Sequence, residues 1–299
     1  MRIILATDGS ECSENAAHFL SRFDLTPKDE IIVLHVVSSV PFDDDYHGQI
    51  LQAIRRIAPK IIEGAVRVLK HTKAQIIPHE MQDDPAAGIS RAAADHGVDL
   101  VVMGARGVRG LQSIFLGSVT RSVTALTTVP LLITKPMLPE HRGGMKILFA
   151  TDGTPCSQAT ARALAALPFP QESEVTVMQV AWSGYTDIPE RFILEIDERA
   201  KEAIARARTK EYGHAEKIVE EHRTMLADRF GKVNALIKGG DPADEILRHA
   251  ASLQADMIAV GSRGLKGLKQ MMGSVSRKVL EHSACPVLIG KAAAAGTQS

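Results

Sequence analysis

Two stretches of the chain carry residue types at a spacing suited to holding an anion. The first is Gly104-Ala105-Arg106-Gly107-Val108-Arg109-Gly110, followed by Gly117-Ser118-Val119-Thr120. The second is Gly261-Ser262-Arg263-Gly264-Leu265-Lys266-Gly267, followed by Gly273-Ser274-Val275-Ser276. Glycine lets the backbone approach a ligand and turn its N–H groups toward one point. Gly-Ser at the mouth of a helix adds unpaired N–H donors, a hydroxyl and the positive end of the helix dipole. That combination suits phosphate. Arg106 with Arg109, and Arg263 with Lys266, would strengthen a polyphosphate site, although each one read singly is equally a solvated loop charge. Two acids also stand at matching places, Asp8 in Ala6-Thr7-Asp8-Gly9-Ser10 and Asp152 in Ala150-Thr151-Asp152-Gly153-Thr154. A carboxylate there can accept hydrogen bonds from a ribose, a base or a metal-bound water. Taken alone, the same residues make a turn and cap a helix. The glycine pattern is neither a Walker A loop nor the Rossmann G-x-G-x-x-G, and one such match is weak evidence.

The matches come in pairs because the chain repeats itself. RIILATDGSECS (residues 2–13) returns as KILFATDGTPCS (146–157), an offset of 144. Residues 83–111 return as 240–268, an offset of 157, so the second copy holds 13 extra residues between these landmarks. Both copies close on an apolar run, VPLLITK (129–135) and CPVLIGK (285–291). The reading is two domains, 1–138 and 145–292, joined by the Pro- and Gly-rich stretch PMLPEHRGG, with a frayed tail AAAAGTQS.

What must position the glycine stretches is an alternation of strands and helices. Strands are expected at Arg2–Thr7, Glu30–Val37, Lys73–His79, Asp99–Met103 and Val129–Thr134. Several are continuous apolar runs, which means burial on both faces and hence a parallel sheet covered by helices. A helix is expected from Asp84-Pro85 to Gly97, with Asp as cap, Pro in the first turn and Gly at the end. Asp241-Pro242 repeats that start. The charged stretch from Pro189 to Phe230 reads as a long surface helix broken near Tyr212-Gly213, with Phe192, Ile193, Ile196, Ala200 and Ala203 near helical spacing. The fold class is α/β: two tandem open parallel five-stranded sheets with helices on both faces, Rossmann-like. In such sheets ligands sit beyond the carboxyl ends of the strands, which is where the glycine stretches and both acids fall.

At these residues the chain resembles the universal stress protein family, of the adenine nucleotide alpha hydrolase-like type of fold, and the resemblance covers nearly the whole chain as a tandem pair. The family signature is Gly, two residues, Gly, nine residues, Gly, then Ser or Thr. Gly104, Gly107 and Gly117-Ser118 match it fully. In the second copy only eight residues separate Gly264 from Gly273, which allows Gly273-Ser274 to be displaced. The resemblance implies ATP, with or without Mg²⁺, held between the first and fourth strands. It places Asp8 and Asp152 near the nucleoside, Val36 and Val180 behind the adenine, and Ala6 and Ala150 along the base. Thr7, Thr151 and Met103 adjoin these. It puts the phosphates on the Gly104–Thr120 loop and its second-copy counterpart. It also implies pairing of the two halves through their last strands as a built-in pseudo-dimer, and pairing of two-domain chains into a homo-oligomer.

Composition narrows the remaining classes. Lys+Arg and Asp+Glu are both 35, so no global field draws the chain onto nucleic acid. Aromatics are 4% against 45% hydrophobic residues, so the core is aliphatic. Three cysteines, Cys12, Cys156 and Cys285, are too few for a disulfide scaffold and fit a reducing compartment. No apolar stretch nears the roughly 20 residues of a membrane span, so a soluble cytoplasmic protein is expected. H-E-x-x-H, C-x-x-C and G-x-S-x-G are absent, as is the Ser-Gly-Gly-x-Asp-Ser loop of ATP-pyrophosphatases. The sequence therefore predicts a nucleotide-dependent stress-response regulator or scaffold that binds ATP without efficient turnover and acts through protein partners. The alternatives are a slow ATPase or nucleotidyl-transferring enzyme, and a scaffold whose pockets are closed.

Overall fold

A computed structural model describes residues 1–38, 45–107, 116–135, 143–181, 197–262 and 272–292, with backbone only for 45–54. The first half runs β1 (Arg2–Ala6), α1 (Glu11–Leu20), β2 (Glu30–Ser38), α2 (Asp45–Leu69), β3 (Gln75–Asp83), α3 (Pro85–Asp95), β4 (Leu100–Gly104), α4 (Ser118–Leu126) and β5 (Leu131–Thr134). The second runs β6 (Lys146–Ala150), α5 (Pro155–Ala166), β7 (Glu174–Ala181), α6 (Glu198–Ala227), β8 (Lys232–Gly239), α7 (Pro242–Leu253), β9 (Met257–Gly261), α8 (Ser274–His282) and β10 (Val287–Gly290). The five strands expected in the first copy are all present. The third sits further along than expected, beginning two residues later and running on to Asp83.

Each half is a parallel five-stranded sheet, and the two are joined edge to edge. The order is β3-β2-β1-β4-β5-β10-β9-β6-β7-β8. Only the seam is antiparallel, with Leu131, Leu132 and Ile133 opposite Ile289, Leu288 and Val287. The strands of the two halves therefore run in opposite directions, and their carboxyl ends face opposite rims of one ten-stranded sheet.

Continuous apolar strands are explained by burial on both faces. In β1, Ile3 and Leu5 join the core under α1, α2, α5 and α6, whereas Ile4 joins the core under α3, α4, α7 and α8. Each such side chain is fully buried and contributes about 1.5–3 kcal/mol. Across the seam, the Phe23 ring meets Phe169 at 5.1 Å and Arg22 Nη2 donates to Asp256 Oδ1 at 3.0 Å.

The helix starts follow the expected chemistry. Asp84 accepts hydrogen bonds from the N–H groups of Ala86 and Ala87 ahead of Pro85 in the first turn. Gly97 ends that helix at φ +57°. Its second-copy counterpart is Gln254 at φ +52°, a left-handed conformation that a side chain makes costly.

The long surface helix expected in the charged stretch is present, but without a break at Tyr212-Gly213: α6 is a single 30-residue helix. Gly213 lies in open space, and Ala215, Ile218, Val219, His222 and Leu226 anchor the helix beyond it, so packing overrides a weak local breaker. Ala200 is half-buried and Ala203 exposed, so they make no buried stripe, while Phe192, Ile193 and Ile196 lie outside the described residues. Ile218 faces Gly153 as Ile61 faces Gly9, which places the extra residues before Ile218. Gly213→Ala is expected to stabilise the protein by about 0.5–1 kcal/mol, read as a higher urea midpoint. A lower midpoint would show that the helix bends there.

Candidate functional site

At the end of β1 the chain turns sharply. Gly9 sits at φ +76° and Gly153 at φ +73°, left-handed positions that favour glycine. Asp8 Oδ1 accepts from Ser10 N at 3.1 Å and from Ser10 Oγ at 2.6 Å. Ser10 in turn caps α1 by accepting from Ser13 N. The second half repeats this closely: Asp152 Oδ1 accepts from Thr154 N at 3.1 Å and Thr154 Oγ1 at 2.6 Å, and Thr154 caps α5. The turn-and-cap reading of the acids thus accounts for Oδ1 in both copies.

The other carboxylate oxygen of Asp8 leads to the glycine loop. A Cβ on Gly107 would overlap Asp8 Oδ2. The absence of a side chain at 107 therefore lets the turn after β1 and the loop after β4 come together. Ser10 Oγ also reaches Arg106 O at 3.4 Å. Two signals far apart in sequence come together beyond the carboxyl ends of β1 and β4.

The glycines of this stretch do different work. A Cβ on Gly104 would stand 2.7–2.8 Å from Cys12 C, Cβ and O. Gly104 is thus a packing glycine that admits α1 against β4. Gly117 is the N-cap of α4 and supplies no side-chain cap, so the first N–H groups of that helix remain available as donors. Its own N–H donates to Ala105 O at 2.8 Å. Ser118 is exposed and Val119 half-buried at this mouth. Thr120 points inward: its hydroxyl lies 3.1 Å from Gly104 O and 3.2 Å from Ala105 O, locking α4 onto β4.

The second half builds the same mouth. Gly273 is an N-cap without a side-chain cap, and its N–H donates to Ser262 O at 2.9 Å. Ser276 Oγ donates to Gly261 O at 2.5 Å, as Thr120 does to Gly104. Gly273-Ser274 is therefore not displaced by the shorter spacer, because these two anchors set its register locally. Val275 is half-buried beside them. The shortening falls in residues 263–271, outside the described set, as do Arg263, Gly264 and Lys266 and, in the first copy, Arg109.

The remaining candidates line the strand ends. Ala6, Thr7, Met103 and Thr151 are buried, while Val36, Ala150, Val180 and Arg106 are half-buried. Thr7 Oγ1 donates to Ser13 Oγ at 3.2 Å, and Val36 packs against Gly88 of α3. Sequence reasoning missed His35, whose Nδ1 lies 2.8 Å from Thr7 O beneath the turn. A histidine inside an apolar strand was the available signal. It also missed Lys135. Burial pushes its ammonium down to about 8, and the Arg106 charge adds to that shift.

A separate cavity of about 150 Å³ lies between Lys146, Glu174, Thr176, Lys232 and Asn234. It sits at the amino ends of β6, β7 and β8, away from the mouths. Among the described residues no group of three His, Cys, Asp or Glu is placed to hold a metal ion, and no helix is long and apolar enough to cross a membrane.

The profile of the universal stress protein family matches residues 1–135 and again 145–291. Universal stress protein YxiE of Bacillus subtilis is 36% identical over 155 residues, covering 48% of this chain and 97% of its own. A universal stress protein of Mycolicibacterium smegmatis is 26% identical over 302 residues and covers 96% of both chains. Among solved structures, a universal stress protein of Archaeoglobus fulgidus shares the fold at a TM-score of 0.63 and 22% identity, over 98% of this chain and 96% of its own. With the same acid turn and the same uncapped glycine helix start built twice on a duplicated parallel sheet, and one family profile matched twice along it, this chain belongs to the universal stress protein family.

Proposed function

We propose that the chain is an ATP-binding, nucleotide-dependent regulator or scaffold of the stress response, built from domains 1–138 and 145–292. The observation that carries this is the meeting of the Asp8 carboxylate with Gly107 beside the uncapped N-terminus of α4. The pieces fit an adenine nucleotide. A carboxylate accepts from ribose hydroxyls. Ala6, Val36 and Met103 offer apolar surface to a base. The N–H groups of Ser118 and Val119, the Ser118 hydroxyl and the helix dipole favour the phosphates, and Arg106 and Arg109 add positive charge. In the second half Asp152, Val180, Gly273, Ser274 and Val275 take the same places, with Arg263 on the loop. ATP is taken with or without Mg²⁺. Thr120 and Ser276 position the helices through their hydroxyl bonds to Gly104 and Gly261.

None of the three cysteines is in a disulfide, which fits a reducing compartment, the cytoplasm. The seam already uses the last strand of each half. Association of two chains therefore needs another surface.

The test is a mass spectrum of small molecules released from denatured protein, with calorimetric titration of ATP. Adenine nucleotide released, or a dissociation constant of about 1 mM or tighter, is the expected result. No nucleotide and no binding at millimolar ATP would overturn the reading. Turnover is expected below roughly 0.1 s⁻¹, far under the usual enzyme median of about 10 s⁻¹.

A further inference from the structure

Each half ends in a lysine, Lys135 after β5 and Lys291 after β10, and both cross the seam. Lys135 Nζ donates to Glu281 O at 3.1 Å, in the last turn of α8. Lys291 Nζ donates to Thr124 O, in the last turn of α4. The helices they reach begin at the opposite glycine mouths, α8 at Gly273 and α4 at Gly117. The lysines themselves stand beside their own glycine loops: Thr134, just before Lys135, pairs with Gly104, and Gly290, just before Lys291, pairs with Gly261. Each lysine thus leaves its strand beside one glycine stretch, and its ammonium holds the far end of the helix that opens at the other.

We propose that Lys135 couples the two nucleotide sites, so that anion binding in one half tightens anion binding in the other. This rests on the reading of both glycine mouths as nucleotide sites. A cation at a helix C-terminus complements the dipole, and a neutral amine does not. Helix α8 is nine residues long, about 13 Å, and over that distance a charge on Lys135 attracts a multiply charged anion at the Gly273 mouth by direct Coulomb interaction.

Lys135 is 6% exposed. Burial, opposed by Cys285 before β10 and Glu281 on α8 and helped by Arg106 on the loop after β4, lowers its pKa to about 8. A polyphosphate on the loop that carries Arg106 adds negative charge on the same side and restores the proton. The pKa is then higher in the bound state than in the free state. Affinity is full below pH 8 and declines above it, and binding above pH 8 takes up a proton. Coupling follows the same window, since a lysine already charged has nothing to gain. By linkage the effect is reciprocal.

The experiment is calorimetric titration of the full chain with ATP at pH 7 and pH 9, in buffers of different ionisation heat. At pH 9, two ATP should bind with the second about fivefold tighter, the low end of ordinary coupling, and with proton uptake. At pH 7 both effects should vanish. Lys135→Met should still bind two ATP at pH 9, independently and without proton uptake. Lys135→Arg, always charged, should bind as tightly at pH 9 as the wild type does at pH 7, again without uptake. Lys291→Met should keep both the coupling and the proton uptake, since Lys135 still titrates. Thermal unfolding checks that each variant folds, and if Lys135→Met does not, Lys135→Arg carries the test. Two independent sites at pH 9, a single site, or uptake unchanged in Lys135→Met or Lys135→Arg would overturn the coupling and leave the nucleotide reading standing. No ATP bound at either pH would overturn both.

Discussion

Gly107→Val is expected to weaken ATP binding in the first half by about 10- to 100-fold while leaving the unfolding temperature nearly unchanged. The new Cβ would occupy the space held by Asp8 Oδ2, so the carboxylate must move away or the loop must lift from it. Either way the ligand loses a charge-assisted hydrogen bond worth about 1.5–3 kcal/mol, which is the stated factor in affinity. The fold tolerates the change because Gly107 is exposed and no backbone stands in the way. Titration calorimetry beside a thermal melt separates the two effects. An unchanged ATP affinity would mean that the Asp8–Gly107 meeting is not the nucleoside end of the site.

Gly104→Val should have the opposite signature and unfold the protein more readily. The atoms a Cβ would meet at 2.7–2.8 Å include Cys12 C and O, main-chain atoms of the first turn of α1 that cannot rotate aside. Helix α1 must shift away from β4, also straining the contact of Thr134 Oγ1 with Cys12 O. Overpacking at a buried backbone contact costs about 3 kcal/mol or more, measured as a lower urea midpoint. The second-copy equivalent supplies a graded comparison. At Gly261 the nearest atoms stand at 3.0–3.1 Å, so Gly261→Ala should cost clearly less than Gly104→Ala. Equal stability of Gly104→Ala and the wild type would contradict the close approach of α1 and β4.

Much of this architecture was legible beforehand. The duplication was visible as repeated segments. The strands were visible because runs such as Ile3-Ile4-Leu5 can be continuous only where both faces are covered. The start of α3 was visible in Asp84-Pro85. These are local signals, carried by neighbouring residues whatever the rest of the chain does. Gly213 misled because a local propensity of about 1 kcal/mol was outweighed by anchors further along α6. The shortened spacer misled because the placement of Gly273 depends on its own bond to Ser262 and on the bond of Ser276 to Gly261 rather than on the count of residues before it.

Residue order by itself determined the two-unit parallel α/β plan and placed the acids and the glycine stretches at strand ends, because apolar periodicity and turn chemistry are properties of short segments. Only the tertiary structure decided that Gly104 serves helix packing while Gly107 receives a carboxylate, and that each terminal lysine belongs to the other half's helix. Those outcomes depend on which distant segments come into contact across the sheet and its seam, and no short stretch of chain encodes its own neighbours.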